Sequence, residues 1–217
     1  LKIQRVPLNV SDLPAFSEEK RAKDAANRAP GVHLSDIIKY VMVRGYGRKY
    51  GDRSQVDVGG ATKMDVGFMW EDIFVEGMRK RLLKGTEAMR GTEIHLDRIA
   101  MNPDLIVPDE RRIEEVKWTK RSLRKFKAAP EAHFPDWIMQ MQGYLQGCRK
   151  SLGLDIHVAR LVPLFVCGDY SFKPPDGDTT LYVCDFTFED WELDENWSMM
   201  LTNKAAMLAE IEGGTWR

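Results

Sequence analysis

The sequence predicts an α/β (α+β) fold in which a small mixed β-sheet is flanked by helices. Three observations lead there. The chain has 217 residues, of which 43% are hydrophobic and 30% charged, ordinary values for a globular domain with a substantial core. Apolar residues recur at helical spacing in some stretches and as short β-branched and aromatic runs in others. The order of these stretches is helix, helix, strand pair, helix, strand pair, helix, which suits helices packed on a sheet. We expect residues 1–30 to be a polar N-terminal arm and residues 31–217 to be a single domain.

The arm carries no sustained apolar period, although Ser17 to Ala26 could form a short charged helix. Ser35 is expected to cap the first helix, with Ile37, Ile38, Val41 and Met42 on its buried side. His33 reads as a turn residue. The helix runs out into Arg44-Gly-Tyr-Gly-Arg-Lys-Tyr-Gly51, a basic, aromatic loop that could touch nucleic acid but also suits a plain helix exit. Residues 52–66 read as a loop with a turn at Gly59-Gly60. A second helix is expected from Gly67 to Lys84, its apolar stripe formed by Trp70, Ile73, Phe74, Met78 and Leu82. Glu71 borders that stripe. A carboxylate there needs a partner; a metal ion is one candidate, and the helix dipole is another.

After a connector, in which His95 stands at the start of the first strand, comes the stretch on which the functional reading rests. Leu105-Ile106-Val107 and Ile113 to Trp118 flank the polar turn Pro108-Asp109-Glu110-Arg111, the pattern of a β-hairpin. With that turn, Val107 faces Arg112 and Asp104 lies opposite Glu115. Facing residues share one side of a sheet, and Lys117, two positions beyond Glu115, shares it too. Leu105, Val107 and Val116 would line the other side against helices, while Ile106 and Ile113 would floor the charged one. Two facing carboxylates repel unless a cation lies between them. Hard oxygen ligands suit Mg²⁺ or Mn²⁺, and a lysine beside the ion can orient water or stabilise developing phosphate charge. The same charges could equally be the solvated edge of a hairpin.

A basic segment follows: Lys117, Lys120, Arg121, Arg124, Lys125 and Lys127 without one acid. It could hold phosphates, or be a solvated face. Pro135 suits the first turn of a helix to about Lys150, whose apolar face holds Trp137, Met141, Tyr144, Leu145 and Cys148. Residues 154–172 and 179–188 read as two strands around the turn Lys173-Pro-Pro-Asp-Gly-Asp178. A last helix, Leu193 to Ile211, should pack Trp197, Met200, Leu201 and Leu208 on the sheet and end at Gly213-Gly214.

Composition narrows the function classes. The net charge of −1 excludes a globally basic nucleic-acid binder, although residues 169–197 hold nine acids against one lysine. No apolar run approaches the ~20 residues of a membrane span, so no membrane partner is expected, and no secretory signal is visible. Cys148, Cys167 and Cys184 stand far apart with no C-x-x-C among them. Reduced thiols in a cytoplasmic compartment are the expectation, with no zinc or iron–sulfur site.

Pro103-Asp104 followed by Glu115-Val116-Lys117 resembles the PD-(D/E)xK nuclease signature. Gly67-x-x-x-Glu71 is similar to the first motif of the RecB-like and phage lambda-type exonucleases of that superfamily. Gln140-x-x-x-Tyr144 resembles the Gln-x-x-x-Tyr motif of the RecB-like branch, against the simpler reading of a helix with a buried tyrosine. The three motifs stand in family order, and the resemblance covers residues 67–150 well and 151–205 in outline.

The resemblance implies a restriction-endonuclease-like core and a metal-dependent DNA nuclease, an exonuclease of DNA processing or recombination, in a bacterial or phage-infected cytoplasm. It implies Mg²⁺ or Mn²⁺ on Asp104, Glu115 and Glu71, with the carbonyl of Val116 as a further ligand, and Lys117 as the catalytic lysine. Gln140 and Tyr144, with Lys120, Arg121, Arg124 and Lys125, would hold the DNA strand. The chain departs from better-known relatives in lacking both the iron–sulfur cysteines and an attached helicase, so it would act alone, as a homo-oligomer, or with a recombination or processing partner. The alternative is a nucleic-acid-binding or assembly module on the same fold without turnover, and a third reading is a plain scaffold.

Overall fold

The computed structural model describes residues 30–47, 69, 71, 73–75, 88–90, 92–119, 121–165 and 183–216. The expected N-terminal arm up to residue 29, the loop at 52–66, Trp70, Met78, Leu82, Lys120 and the turn at 173–178 lie outside them.

The first described elements are β1 (Val32–His33) and α1 (Leu34–Arg44). His33, not Ser35, is the N-cap residue: its own N–H donates to the Asp36 carboxylate at 3.2 Å, closing the first turn. The expected inner face of α1 is present, with Ile37, Ile38, Val41 and Met42 all buried. Residues 69, 71 and 73–75 are helical as the sequence predicts. The buried side of that stretch is set by Val75, however, and Ile73 is 61% exposed.

Two short strands absent from the sequence reading follow, β2 (Ile94–Leu96) and β3 (Ile99–Met101). They pair antiparallel, and β1 joins β3 in parallel, giving a three-stranded sheet in the order β1-β3-β2. His95, read as the residue before a strand, lies inside β2. Its connecting residues Asp97 and Arg98 both have left-handed backbones, φ 49° and 60°, as in the two-residue turns that match strand twist. Side chains without glycine's freedom hold this turn because distant groups fix it. The Trp197 indole N–H donates to the Asp97 carboxylate at 2.8 Å, and Lys204 donates to the Asp97 carbonyl at 2.7 Å. Arg98→Gly removes the left-handed penalty and leaves these bonds intact. It is expected to stabilise the fold by up to about 1 kcal/mol, seen as a rise in the thermal midpoint; a fall would contradict this account of the turn.

The second sheet holds β4 (Leu105–Val107), β5 (Arg112–Thr119), β6 (Val158–Phe165) and β7 (Cys184–Thr187), in that order. The β4–β5 hairpin has the register that the sequence predicts, with Val107 facing Arg112 and Leu105 facing Glu114. Its turn is a 3-10 segment, Pro108–Glu110, closed by Arg111 at φ 52°. The β5–β6 pair is parallel, so the chain must cross over between them. That crossover carries α2 (Leu123–Ala128), α3 (Pro130–His133) and α4 (Pro135–Lys150). The final helix is α5 (Asp190–Glu212).

The main core lies between one face of the second sheet (Ile106, Ile113, Ala159, Leu161, Phe165) and the helices α1, α4 and α5. Gly143 and Gly147 let α4 approach closely: a Cβ at Gly143 would lie 2.6 Å from Leu34, and one at Gly147 2.6 Å from Met101. The opposite face of the sheet carries a smaller cluster, Leu105, Val107, Val116 and Val162, covered by Phe74 and Val75 of the helical stretch, as expected of the side away from Glu115 and Lys117. The last helix has more helical neighbours than the sequence suggests. Helix α5 packs chiefly on α4 and α1 and reaches the β2–β3 turn through Trp197 and Lys204, with Met207 buried and Leu208 36% exposed.

Candidate active site

Strand β5 alternates its side chains across the sheet. Ile113, Glu115 and Lys117 point to the face covered by α4, and Arg112, Glu114 and Val116 point to the other. Asp104 immediately precedes β4. Its Oδ2 accepts the Val116 backbone N–H at 2.7 Å, which ties the carboxylate to β5 beside Glu115. The Lys117 ammonium is ion-paired with Glu115 Oε1 and donates to Gln140 Oε1 at 2.9 Å. The Gln140 amide nitrogen in turn donates to the Tyr144 hydroxyl at 2.6 Å. The direction of this chain follows from chemistry. An ammonium only donates, so Gln140 must offer it a carbonyl oxygen, and its NH₂ is left for the tyrosine. Gln140 and Tyr144 are one turn apart on α4 and so share the face turned to β5.

Electrostatics tighten the group. Burial and the carboxylates of Glu115 and Glu71 push the Asp104 carboxyl well above the usual range, against Lys117 and the Val116 N–H. Burial alone would discharge Lys117, but Glu115 and Asp104 outweigh it and hold the ammonium above its ordinary value. Burial, with the Glu115 and Asp104 carboxylates, pushes the Tyr144 phenol well up, so it stays a neutral O–H. Glu71 is close enough to act on both Asp104 and Tyr144 through its charge. Residues from four separate stretches of sequence thus meet: Glu71, Asp104, Glu115 with Lys117, and Gln140 with Tyr144.

One atom in this group is conspicuous. Glu115 is 2% exposed, and among the described residues its Oε2 has no hydrogen-bond partner. A buried, unpartnered carboxylate oxygen costs desolvation without compensation. Among the described residues no three His, Cys, Asp or Glu side chains form a ready metal cluster. Asp104 and Glu115 nevertheless fit a hard divalent cation. They are two adjacent carboxylates, Glu115 buried and Asp104 partly so, one with an oxygen to spare, and Lys117 is the cation in contact with Glu115.

The remaining candidates are distributed differently. Arg124 and Lys125 are exposed on α2, which Ser122 caps by accepting the Lys125 N–H at 3.2 Å. Arg121 is committed elsewhere, to a two-bond pair with Asp136 at 3.0 and 2.8 Å. Asp136 is the member that the sequence reading missed. Its signal was its place one turn before Gln140, which puts Asp136, Gln140 and Tyr144 on one line along α4. His95 is bound to Glu93 at 2.7 Å, as a structural histidine would be. Burial pushes the free thiols of Cys148 and Cys184 up to about 12, which leaves them poor nucleophiles.

No family model and no curated protein matches the chain. Solved structures do resemble it. An alkaline exonuclease from Laribacter hongkongensis is similar at TM-score 0.49 and 17% identity, over 86% of this chain and 92% of that one. The same enzyme in complex with dAMP gives TM-score 0.48 and 18% identity, over 84% and 90%. A phage-related exonuclease from Haemophilus somnus 129PT gives TM-score 0.46 and 12% identity, over 82% and 83%. At these values the likeness assigns neither an activity nor site residues to this chain. No helix among the described residues is long and apolar enough to cross a membrane.

Proposed function

We propose that the chain is a metal-dependent DNA nuclease. The observation that carries this reading is the partly buried Asp104–Glu115–Lys117 group, in which Glu115 Oε2 has no hydrogen-bond partner among the described residues. Asp104 and Glu115, with Glu71 and the Val116 carbonyl, would hold Mg²⁺ or Mn²⁺. Such an ion, when bound, supplies Lewis-acid stabilisation of a phosphoryl oxygen and lowers the pKa of water. Lys117 holds its proton, orients the attacking water and offsets charge that develops on the phosphoryl oxygens. Gln140 fixes the ammonium by accepting one of its three N–H bonds. Tyr144 keeps its own proton to offer to a phosphate. Lys120, Arg124 and Lys125 hold the strand through its backbone, a contact without sequence preference. Exonuclease action, in DNA processing or recombination, is what the resemblance to the RecB-like branch implies.

The test is digestion of linear and covalently closed DNA, single- and double-stranded, with Mg²⁺, Mn²⁺, Ca²⁺ or EDTA. Cleavage is expected with Mg²⁺ or Mn²⁺ and not with EDTA, and closed circles should be spared if the enzyme needs an end. A folded protein that binds DNA but cleaves none of these substrates would overturn the reading in favour of a binding module.

A further inference from the structure

We infer that Arg121, within the basic run, is a positioning residue of the active site and not a phosphate contact. It acts through Asp136 to hold Gln140 on Lys117; this rests on the nuclease reading only for its kinetic consequence. The geometry is specific. Both terminal nitrogens of Arg121 engage both oxygens of Asp136, at 3.0 and 2.8 Å, the fork-to-fork contact that arginine makes and lysine cannot. The guanidinium also lies over two rings, 4.8 Å from the Phe134 centroid and 5.3 Å from that of Trp137. Phe134 and Trp137 are themselves packed at 4.5 Å, and both are buried. The planar cation is thus stacked on aromatics and hydrogen-bonded at its edge, which leaves little of it for a phosphate.

The placement explains why this matters. Arg121 follows the end of β5, and its backbone N–H donates to the Thr119 hydroxyl at 3.0 Å. Asp136 is in the first turn of α4. The pair therefore ties the end of the strand that carries Lys117 to the start of the helix that carries Gln140. Asp136 is also near enough to help hold the charge on Lys117. Without the tie, α4 is free to shift at its first turn, and Gln140, one turn on, loses its register with the ammonium.

Three readouts test this. In a cycle of Arg121→Ala, Asp136→Ala and the double variant, the double should unfold no more easily than the worse single variant. A slowly exchanging ¹⁵N signal of the Lys117 ammonium is expected in wild type, and it should broaden or vanish in Arg121→Ala and in Arg121→Lys. In cleavage, Arg121→Ala should lower kcat about tenfold with unchanged DNA affinity in EDTA, and should add nothing in a Gln140→Ala background, which a purely structural loss would not respect. Weaker DNA binding by Arg121→Ala, with a salt dependence shallower by about one phosphate contact and the Lys117 signal intact, would overturn the proposal. If wild type cleaves no DNA, a lost Lys117 signal still establishes the tie, and the nuclease reading alone fails.

Discussion

Lys117→Ala is expected to lower the rate of DNA cleavage by about 10²–10³-fold, the loss typical when one aimed electrostatic group is removed from a reacting centre. Affinity for DNA should change little, because Lys117 faces Glu115 and Gln140 within the partly buried group and not the strand at large. Asp104→Ala should be at least as damaging. It removes a carboxylate and also releases the Val116 N–H that the Asp104 oxygen accepts. Single-turnover rates at saturating DNA, with circular dichroism as the control for folding, measure both. Residual cleavage above a tenth of the wild-type rate in folded Lys117→Ala would mean that another group carries the charge.

The largest expected effect on stability lies on the other face of the same strand. Arg112 is 6% exposed, donates to Glu114 Oε1 at 2.7 Å and is ion-paired with Glu110. Glu114 is 1% exposed, and its second oxygen has no hydrogen-bond partner among the described residues. Removing the arginine leaves that carboxylate buried, with Arg160 at 3.9 Å as its remaining cationic contact among the described residues. Breaking a buried pair in this way costs about 3–5 kcal/mol, so Arg112→Ala should shift the urea midpoint far down or prevent folding. Glu114→Gln removes the buried charge instead of stranding it, and should cost much less. Equal costs would show that the network contributes through packing and not through charge.

How much of this was readable in the sequence differs by element, for physical reasons. The β4–β5 register was legible because a polar turn of even length separates two apolar runs, and a slip of one residue would put Asp104 and Glu115 on opposite faces of the sheet. Helix α4 was legible from Pro135 and a single clean stripe. The β1-β3-β2 sheet was not, because its strands have two or three residues and its turn lacks the usual Asn-Gly. What holds Asp97 and Arg98 in place is Trp197 and Lys204, about a hundred positions away. Ile73 was misread because helical spacing there fits two faces, and packing by Val75 chose between them. The stripe of α5 announced a buried face without naming its neighbours, which are chiefly α4 and α1.

The candidate site shows the same division. Asp104, Glu115 and Lys117 follow from strand alternation alone, and the Gln140–Tyr144 relation follows from helical spacing. The meeting of those two groups is tertiary, and the resemblance to RecB-like nucleases supplied it in advance. Arg121 illustrates the limit. In a run of like charges, a cation paired with an acid fifteen positions on cannot be told from one that faces solvent. The aromatic residues Phe134 and Trp137, which hold its plane, read as core.

The most direct test of the central claim is ion binding by the site itself, apart from turnover. Mn²⁺ titrated into wild type and followed by calorimetry and by the loss of its free-ion electron paramagnetic resonance signal should bind saturably. That binding should be abolished in Glu115→Ala and in Asp104→Ala, both still folded. Saturable binding of equal affinity in either variant, or none in wild type with DNA present, would contradict a divalent cation held by Asp104 and Glu115.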